Sequence, residues 1–151
     1  MSTLLLDASV ILAAFDSDDE LHEPSQALLA DPDVTLTTLD LARYEVANVA
    51  VRSWCEFVRV DPLLEAIDRI SSDGGVIPST TTLLSRAAKL ADEHVISVYD
   101  AAYVAAADQG GSTLVSCDMR DLVSKGLASS PASVHEEESP PPDESSTEAQ
   151  P

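Results

Sequence analysis

The sequence predicts an α/β domain built as three layers, α/β/α, around a short central parallel sheet. Two observations point there. Brief strand-like runs alternate with segments of helical periodicity, and the apolar content lies in Ala, Val and Leu, with aromatics at only 4%. A chain of 151 residues has room for one domain of ordinary size, and its core is expected to be aliphatic. No internal repeat is visible.

Leu4 to Leu6 is an apolar run ending at Asp7, as expected of a buried central strand. Ala8 to Phe15 reads as a helix, Asp16 to Glu20 as an acidic turn, and Glu23 to Ala30 as a second helix closed by Asp31-Pro32. Val34 to Leu36 is a brief strand. From Asp40 to Val58 the pattern is that of one long helix, with Leu41, Glu45, Asn48, Val49 and Arg52 along one side. Leu63 to Ile70 continues as helix, Asp73-Gly74-Gly75 as a turn, and Val76-Ile77 as a short strand. Leu83 to Ala91 is a helix with Leu84, Ala87, Ala88 and Ala91 as its apolar stripe, and Val98 to Asp108 is an Ala-rich helix stopped by Gly110-Gly111. Thr113 to Ser116 is a strand and Met119 to Lys125 a final helix. Beyond Ser129 Pro, Ser and Glu dominate, with too little apolar surface to offset the entropy of ordering. Residues 1–129 are therefore expected to form the domain, and 130–151 a disordered acidic tail.

Charge is the unusual property. There are 27 acidic residues against 8 basic ones, a net charge of −19. Six acids lie from Pro131 onward, so the body still carries 21 acids against 8 bases, a net of −13. Such a surface repels phosphate at low ionic strength. At about 1 M salt the Debye length falls to roughly 3 Å and the repulsion fades. Only Lys89 and Lys125 are lysine, and the acid-rich, lysine-poor balance is that of a salt-loving organism. No run reaches the roughly 18 apolar residues of a membrane span, and Met1 to Leu6 lacks the features of a secretory signal. The cytoplasm is the expected compartment. Cys55 and Cys117 are far apart and outside any metal-ligand spacing, so they read as reduced, with a bridge the less favoured alternative.

Four acids stand apart from the solvated ones: Asp7, Glu45, Asp100 and Asp118. Capping explains three of them equally well. Asp7 sits between strand and helix, Asp100 follows Ser97 in a capping-box spacing, and Asp118 precedes the last helix with Asp121 in its first turn. Glu45 is different, because it lies mid-helix on the side of Leu41 and Val49. An ionised carboxylate facing a core is costly unless paired or bound to metal. Its alternatives are an ion pair with Arg43 or Arg52, or a face turned to water. Jointly the four are more telling. Asp7 and Asp118 follow apolar strands and Asp100 opens a helix, which delivers them to the carboxyl edge of a parallel sheet, where sites form. Crowded carboxylates raise one another's pKa, and a hard cation such as Mg²⁺ or Mn²⁺ relieves the repulsion through oxygen ligands.

The succession LLLDASVIL, LARYEVANV, ISVYDAAYVAAA and TLVSCDMRDL resembles the PIN-domain ribonucleases, most nearly the VapC-like toxins of toxin–antitoxin pairs. The likeness runs up to about Leu127. It implies that Asp7, Glu45, Asp100 and Asp118 are metal-binding catalytic acids, that Ser9 orients Asp7, and that Ser116 supports the cluster. Asp121 is either an auxiliary acid or first-turn helix charge, the latter slightly favoured. The fifth strand common in that family has no clear counterpart after Leu127, and the acidic tail is foreign to its pattern. The resemblance further implies Mg²⁺- or Mn²⁺-dependent endoribonuclease activity, an RNA substrate, a homodimer and a cognate antitoxin. Arg43, Arg52, Arg120 and Lys125 are the bases nearest the motifs, either RNA contacts or solvated ion pairs. His22, His94 and His135 fall in polar stretches and read as surface residues. Two rivals remain: a doubly wound phosphohydrolase, disfavoured because Asp7-Ala8-Ser9 lacks a DxD, and an inactive binding protein of the same fold.

Overall fold

Leu4, Leu5 and Leu6 are at most 3% exposed, a burial open only to a strand covered on both faces. The computed structural model describes residues 2–73 and 75–138 and places this run in β1 (Ser2–Leu6). β2 (Val34–Leu39), β3 (Val76–Ile77) and β4 (Thr113–Val115) complete a wholly parallel sheet of order β3-β2-β1-β4. The chain thus moves outward from β1 in one direction and returns to its other side with β4. The crevice between the carboxyl ends of β1 and β4 is a topological switch point.

Around the sheet lie α1 (Ala8–Ala14), α2 (His22–Ala30), α3 (Leu41–Asn48), α4 (Val60–Asp73), α5 (Thr81–His94), α6 (Val98–Gly110) and α7 (Pro131–Glu138). α1 packs on α2, α4 on β2, and α5 on α6, while α6 lies against β4 and β2. The core is aliphatic as expected, and the Ala-rich α6 is buried from Ala101 to Ala107. Small side chains let its backbone approach the sheet closely. No helix among the described residues is long and apolar enough to cross a membrane.

Several expectations need correction. β2 runs on to Leu39 rather than stopping at Leu36, because Thr37 and Thr38 are buried with their hydroxyls satisfied. Thr38 donates to the Leu6 carbonyl at 2.7 Å and Thr37 to that of Leu4 at 3.4 Å. The single helix expected over Asp40 to Val58 ends at Asn48. A widened turn follows over Val49–Ser53, where the Trp54 N–H reaches back five residues to the Val49 carbonyl at 2.9 Å. Cys55 then adopts φ 55°, and a tight turn over Phe57–Arg59 leads into α4. The Arg59 guanidinium lies 4.4 Å over the Trp54 ring and donates to the Phe15 carbonyl, anchoring the break. Apolar spacing cannot reveal such an insertion, since residues on either side keep a helical look. Likewise Met119 to Lys125 is a widened turn over Met119–Val123.

His22 is half-buried, with Nδ1 2.7 Å from the Ala13 carbonyl. His94 is also half-buried, at the end of α5, and the side chain of His135 lies outside the described residues. Cys55 and Cys117 are both free. Ser129 forms a parallel bridge to Val115, with its N–H on the Leu114 carbonyl at 2.8 Å and its carbonyl accepting the Ser116 N–H at 3.0 Å. This single bridge continues the pairing beyond β4 without forming a fifth strand among the described residues. α7 follows, packed on α2, with Pro131 buried and Val134 5% exposed. The remaining expected tail, 139–151, lies outside the described residues. Val134→Ala should therefore cost about 2 kcal/mol in urea unfolding. A change within about 0.5 kcal/mol, the scale of a solvated surface site, would contradict this packing.

Candidate metal centre

Asp7 stands one residue beyond β1 and is 5% exposed. It caps α1, its Oδ1 accepting the Ser9 N–H at 3.0 Å. The Ser9 hydroxyl donates to the same oxygen and the Ser116 hydroxyl to Oδ2. Each serine also accepts an amide from the segment leaving β4: Ser9 Oγ from Cys117 N–H at 2.8 Å, Ser116 Oγ from Asp118 N–H at 3.0 Å. Asp7 N–H in turn donates to the Val115 carbonyl at 3.1 Å. Two serines thus stitch the ends of β1 and β4 together and set where Asp118 emerges. Asp118 accepts the Asp121 N–H at 2.9 Å, and the Val123 N–H reaches the Asp118 carbonyl at 3.0 Å across five residues. Capping is therefore real at Asp7 and Asp118, and it leaves carboxylate lone pairs available.

α6 brings Asp100. Ser97 caps that helix by accepting the Asp100 N–H at 3.0 Å, and the Ala-rich face behind it pins the helix to the sheet. Carboxylate oxygens of Asp100, Asp118 and Asp121 lie within 4.8 Å of one another. Asp121 thus stands beside Asp100 and Asp118 while also occupying the first turn that Asp118 caps. Asp7 and Glu45 fall outside that mutual 4.8 Å grouping. Electrostatically the acids form a continuous array: Glu45 repels Asp7, Asp100 repels Glu45, and Asp118 and Asp121 repel Asp100.

Glu45 has a partner the sequence did not disclose. The Tyr103 hydroxyl donates to its Oε1 at 2.7 Å. Tyr103 lies in the apolar run of α6 and reads as core. The available signal was its phenol, because a buried hydroxyl requires an acceptor and the position is three residues from Asp100. The alternative pairings of Glu45 do not occur. Arg43 pairs with Asp68 at 3.2 Å, and Arg52 is exposed with no ion pair among the described residues. Lys125 donates to the His94 and Val95 carbonyls at 2.7 and 3.3 Å, capping α5, and Arg120 lies 3.8 Å from Asp121 while being 93% exposed.

Burial pushes the Asp7 carboxyl up to about 6, with Glu45 adding to the rise and the two serines opposing it. Glu45 and Asp100 are also raised, chiefly by burial, then by their acidic neighbours. Among the described residues no Lys or Arg forms an ion pair with Asp7, Glu45, Asp100 or Asp118. An all-oxygen donor set, crowded and countered only by the exposed Arg120 beside Asp121, fits a hard divalent cation.

Comparison with known proteins agrees with this geometry. The family profile described as PIN domain matches residues 4–124. A curated relative, Ribonuclease VapC3 of Pyrobaculum aerophilum, is 34% identical over 126 residues, covering 81% of this chain and 93% of its own. The solved structure of VapC20 from Mycobacterium tuberculosis, described as a sarcin–ricin loop cleaving toxin, superposes with TM-score 0.66. It is 20% identical and covers 82% of this chain and 95% of its own. A toxin–antitoxin complex from Klebsiella pneumoniae gives TM-score 0.61 at 20% identity, with coverage of 85% and 97%.

The raised Asp7 pKa sets a pH dependence. The folded state holds the proton more tightly than the unfolded chain, so the associated stability is full below about pH 4 and is lost as pH rises through about 6. A rise of about two units corresponds to roughly 3 kcal/mol, and Glu45 and Asp100 act in the same direction. In chelator, the thermal midpoint of the wild type relative to Asp7→Asn should fall between pH 4 and pH 7. Mn²⁺ added at pH 7 should restore it, since a ligand of the folded state alone stabilises that state. A relative midpoint that climbs over this window, or ignores Mn²⁺, would count against the crowded cluster.

Proposed function

Because the chain belongs to the PIN-domain family, we propose that its acidic array holds divalent metal and hydrolyses RNA, as the toxin of a toxin–antitoxin pair. One observation carries this: the trio Asp100, Asp118 and Asp121 stands at the switch point beside Asp7 and Glu45, with no ion-paired base on the four expected acids among the described residues. The ribonuclease relative supports RNA as the substrate, and the toxin–antitoxin neighbours support an antitoxin partner.

Asp7, Glu45, Asp100 and Asp118 hold the metal, and Asp121 contributes from the widened turn. Mg²⁺ and Mn²⁺ are the fitting ions, both preferring oxygen ligands. Bound there, such an ion lowers the pKa of water and offsets charge on the phosphate oxygens. Ser9 and Ser116 keep Asp7 in one orientation by donating to both its oxygens. Glu45, one oxygen of which accepts the Tyr103 hydroxyl, is a metal ligand whose raised pKa reflects burial and the nearby Asp100. No side-chain nucleophile is required.

Of the bases expected to meet RNA, Arg43 and Lys125 are engaged elsewhere, leaving Arg52 and the exposed Arg120 beside Asp121 as the candidate backbone contacts. Substrate affinity then leans on the metal and on ionic strength. A net charge of −19 suits a chain working in the cytoplasm of a salt-loving cell, as a homodimer silenced by its antitoxin.

Asp7→Asn and Asp100→Asn should each lower Mn²⁺-dependent RNA cleavage by roughly 100-fold or more while keeping the wild-type circular dichroism spectrum. Full activity in either variant removes that residue from the mechanism. Raising KCl from 0.05 to about 1 M should hold or strengthen RNA binding, because screening relieves repulsion. The steep loss normal for basic nucleases, seen in filter binding, would refute the electrostatic account.

A further inference from the structure

Tyr103 touches the acidic array, yet hydrolysis as described assigns it no role of its own. It is 1% exposed and lies one helical turn beyond Asp100 on α6. Its hydroxyl donates to Glu45 Oε1 at 2.7 Å, and the backbone amide of Ala8 lies beside the same hydroxyl. Ala8 directly follows Asp7. One phenol therefore meets three elements: α6, which carries Asp100; α3, which carries Glu45; and the start of α1, which Asp7 caps.

We propose that Tyr103 is a positioning residue for the metal centre, holding Glu45 by one oxygen so that the other is presented to the cation. This rests on reading the array as a metal-dependent nuclease site. A glutamate has three rotatable bonds, and a free one loses that mobility on binding a cation. Glu45 is half-buried mid-helix, repelled by Asp100 and lacking an ion-paired base among the described residues, so repulsion alone would swing it outward to water. The hydrogen bond from Tyr103 opposes that swing before metal arrives. Partners that orient ligating groups in this way commonly change metal affinity by 10–100-fold when removed. Simple satisfaction of a buried hydroxyl does not account for the choice of acceptor, because a backbone carbonyl would serve and would need no charged group.

The test is Mn²⁺ affinity, measured by calorimetry and by electron paramagnetic resonance on the full chain. Wild type, Tyr103→Phe, Glu45→Gln and the double variant form a cycle. Phe fills the same space, so Tyr103→Phe should keep the fold, weaken Mn²⁺ about tenfold, and lower kcat with KM for RNA unchanged. In the Glu45→Gln background the same change should have no further effect on Mn²⁺. Wild-type affinity in Tyr103→Phe, or an equal loss in both backgrounds, would overturn the proposal, the latter by showing that packing was the cause. Should Tyr103→Phe fail to fold, Glu45→Asp keeps the charge but withdraws it from the phenol. It should weaken Mn²⁺ similarly, and unchanged affinity there overturns the proposal too. A wild type that binds no Mn²⁺ and cuts no RNA defeats the nuclease reading and this proposal with it. A wild type that does both, beside an indifferent Tyr103→Phe, defeats the proposal alone.

Discussion

The carboxylate of Asp7 is the constraint around which the domain is arranged. It is nearly excluded from water, and its ionised form is tolerable only through the donors aimed at it: the Ser9 amide and the hydroxyls of Ser9 and Ser116. Those same hydroxyls accept the amides of Cys117 and Asp118, so solvating one buried acid also fixes the exit of β4. Loss of either serine would leave a buried amide and a buried carboxylate short of partners at once. The hydroxyls serve folding and site geometry through the same bonds.

Negative charge accumulates outward from that point. Asp7, Glu45, Asp100 and the Asp118–Asp121 pair repel one another in sequence along the crevice. Apart from Arg120, which lies 3.8 Å from Asp121, the nearby bases with a recorded partner are engaged elsewhere. Arg43 pairs with Asp68, Arg59 sits over Trp54, and Lys125 caps α5. A cation at the carboxyl ends of β1 and β4 would relieve this repulsion.

Two widened helical turns follow acids of that array. In the turn after Asp118 the Leu122 and Val123 amides both reach the Asp118 carbonyl, and Asp121, whose amide is held by the Asp118 side chain, lies with Asp100 and Asp118. The turn after α3 ends the helix of Glu45 early and sends the chain through Cys55 at positive φ towards α4. Turns of this type often occur at functional sites because they redirect a side chain without breaking the helix.

Much of this was written in the sequence. Apolar strands alternating with helices dictated a parallel sheet, because backbone groups buried between helical layers must pair with one another. Aspartates placed just after such strands, and Asp100 at a helix start, had to reach the carboxyl edge. The succession of four motifs sufficed to bring in Glu45. Tertiary structure decided what depends on contacts between distant segments. Where Asp121 lies relative to Asp100 depends on how two distant segments pack, and the partner of Glu45 is a phenol 58 residues away. The strand through Thr37 and Thr38 and the helix beyond Ser130 looked too polar in isolation. Local composition reports the cost of burying a polar group, whereas only the folded chain supplies the acceptor or the apolar neighbour that offsets it.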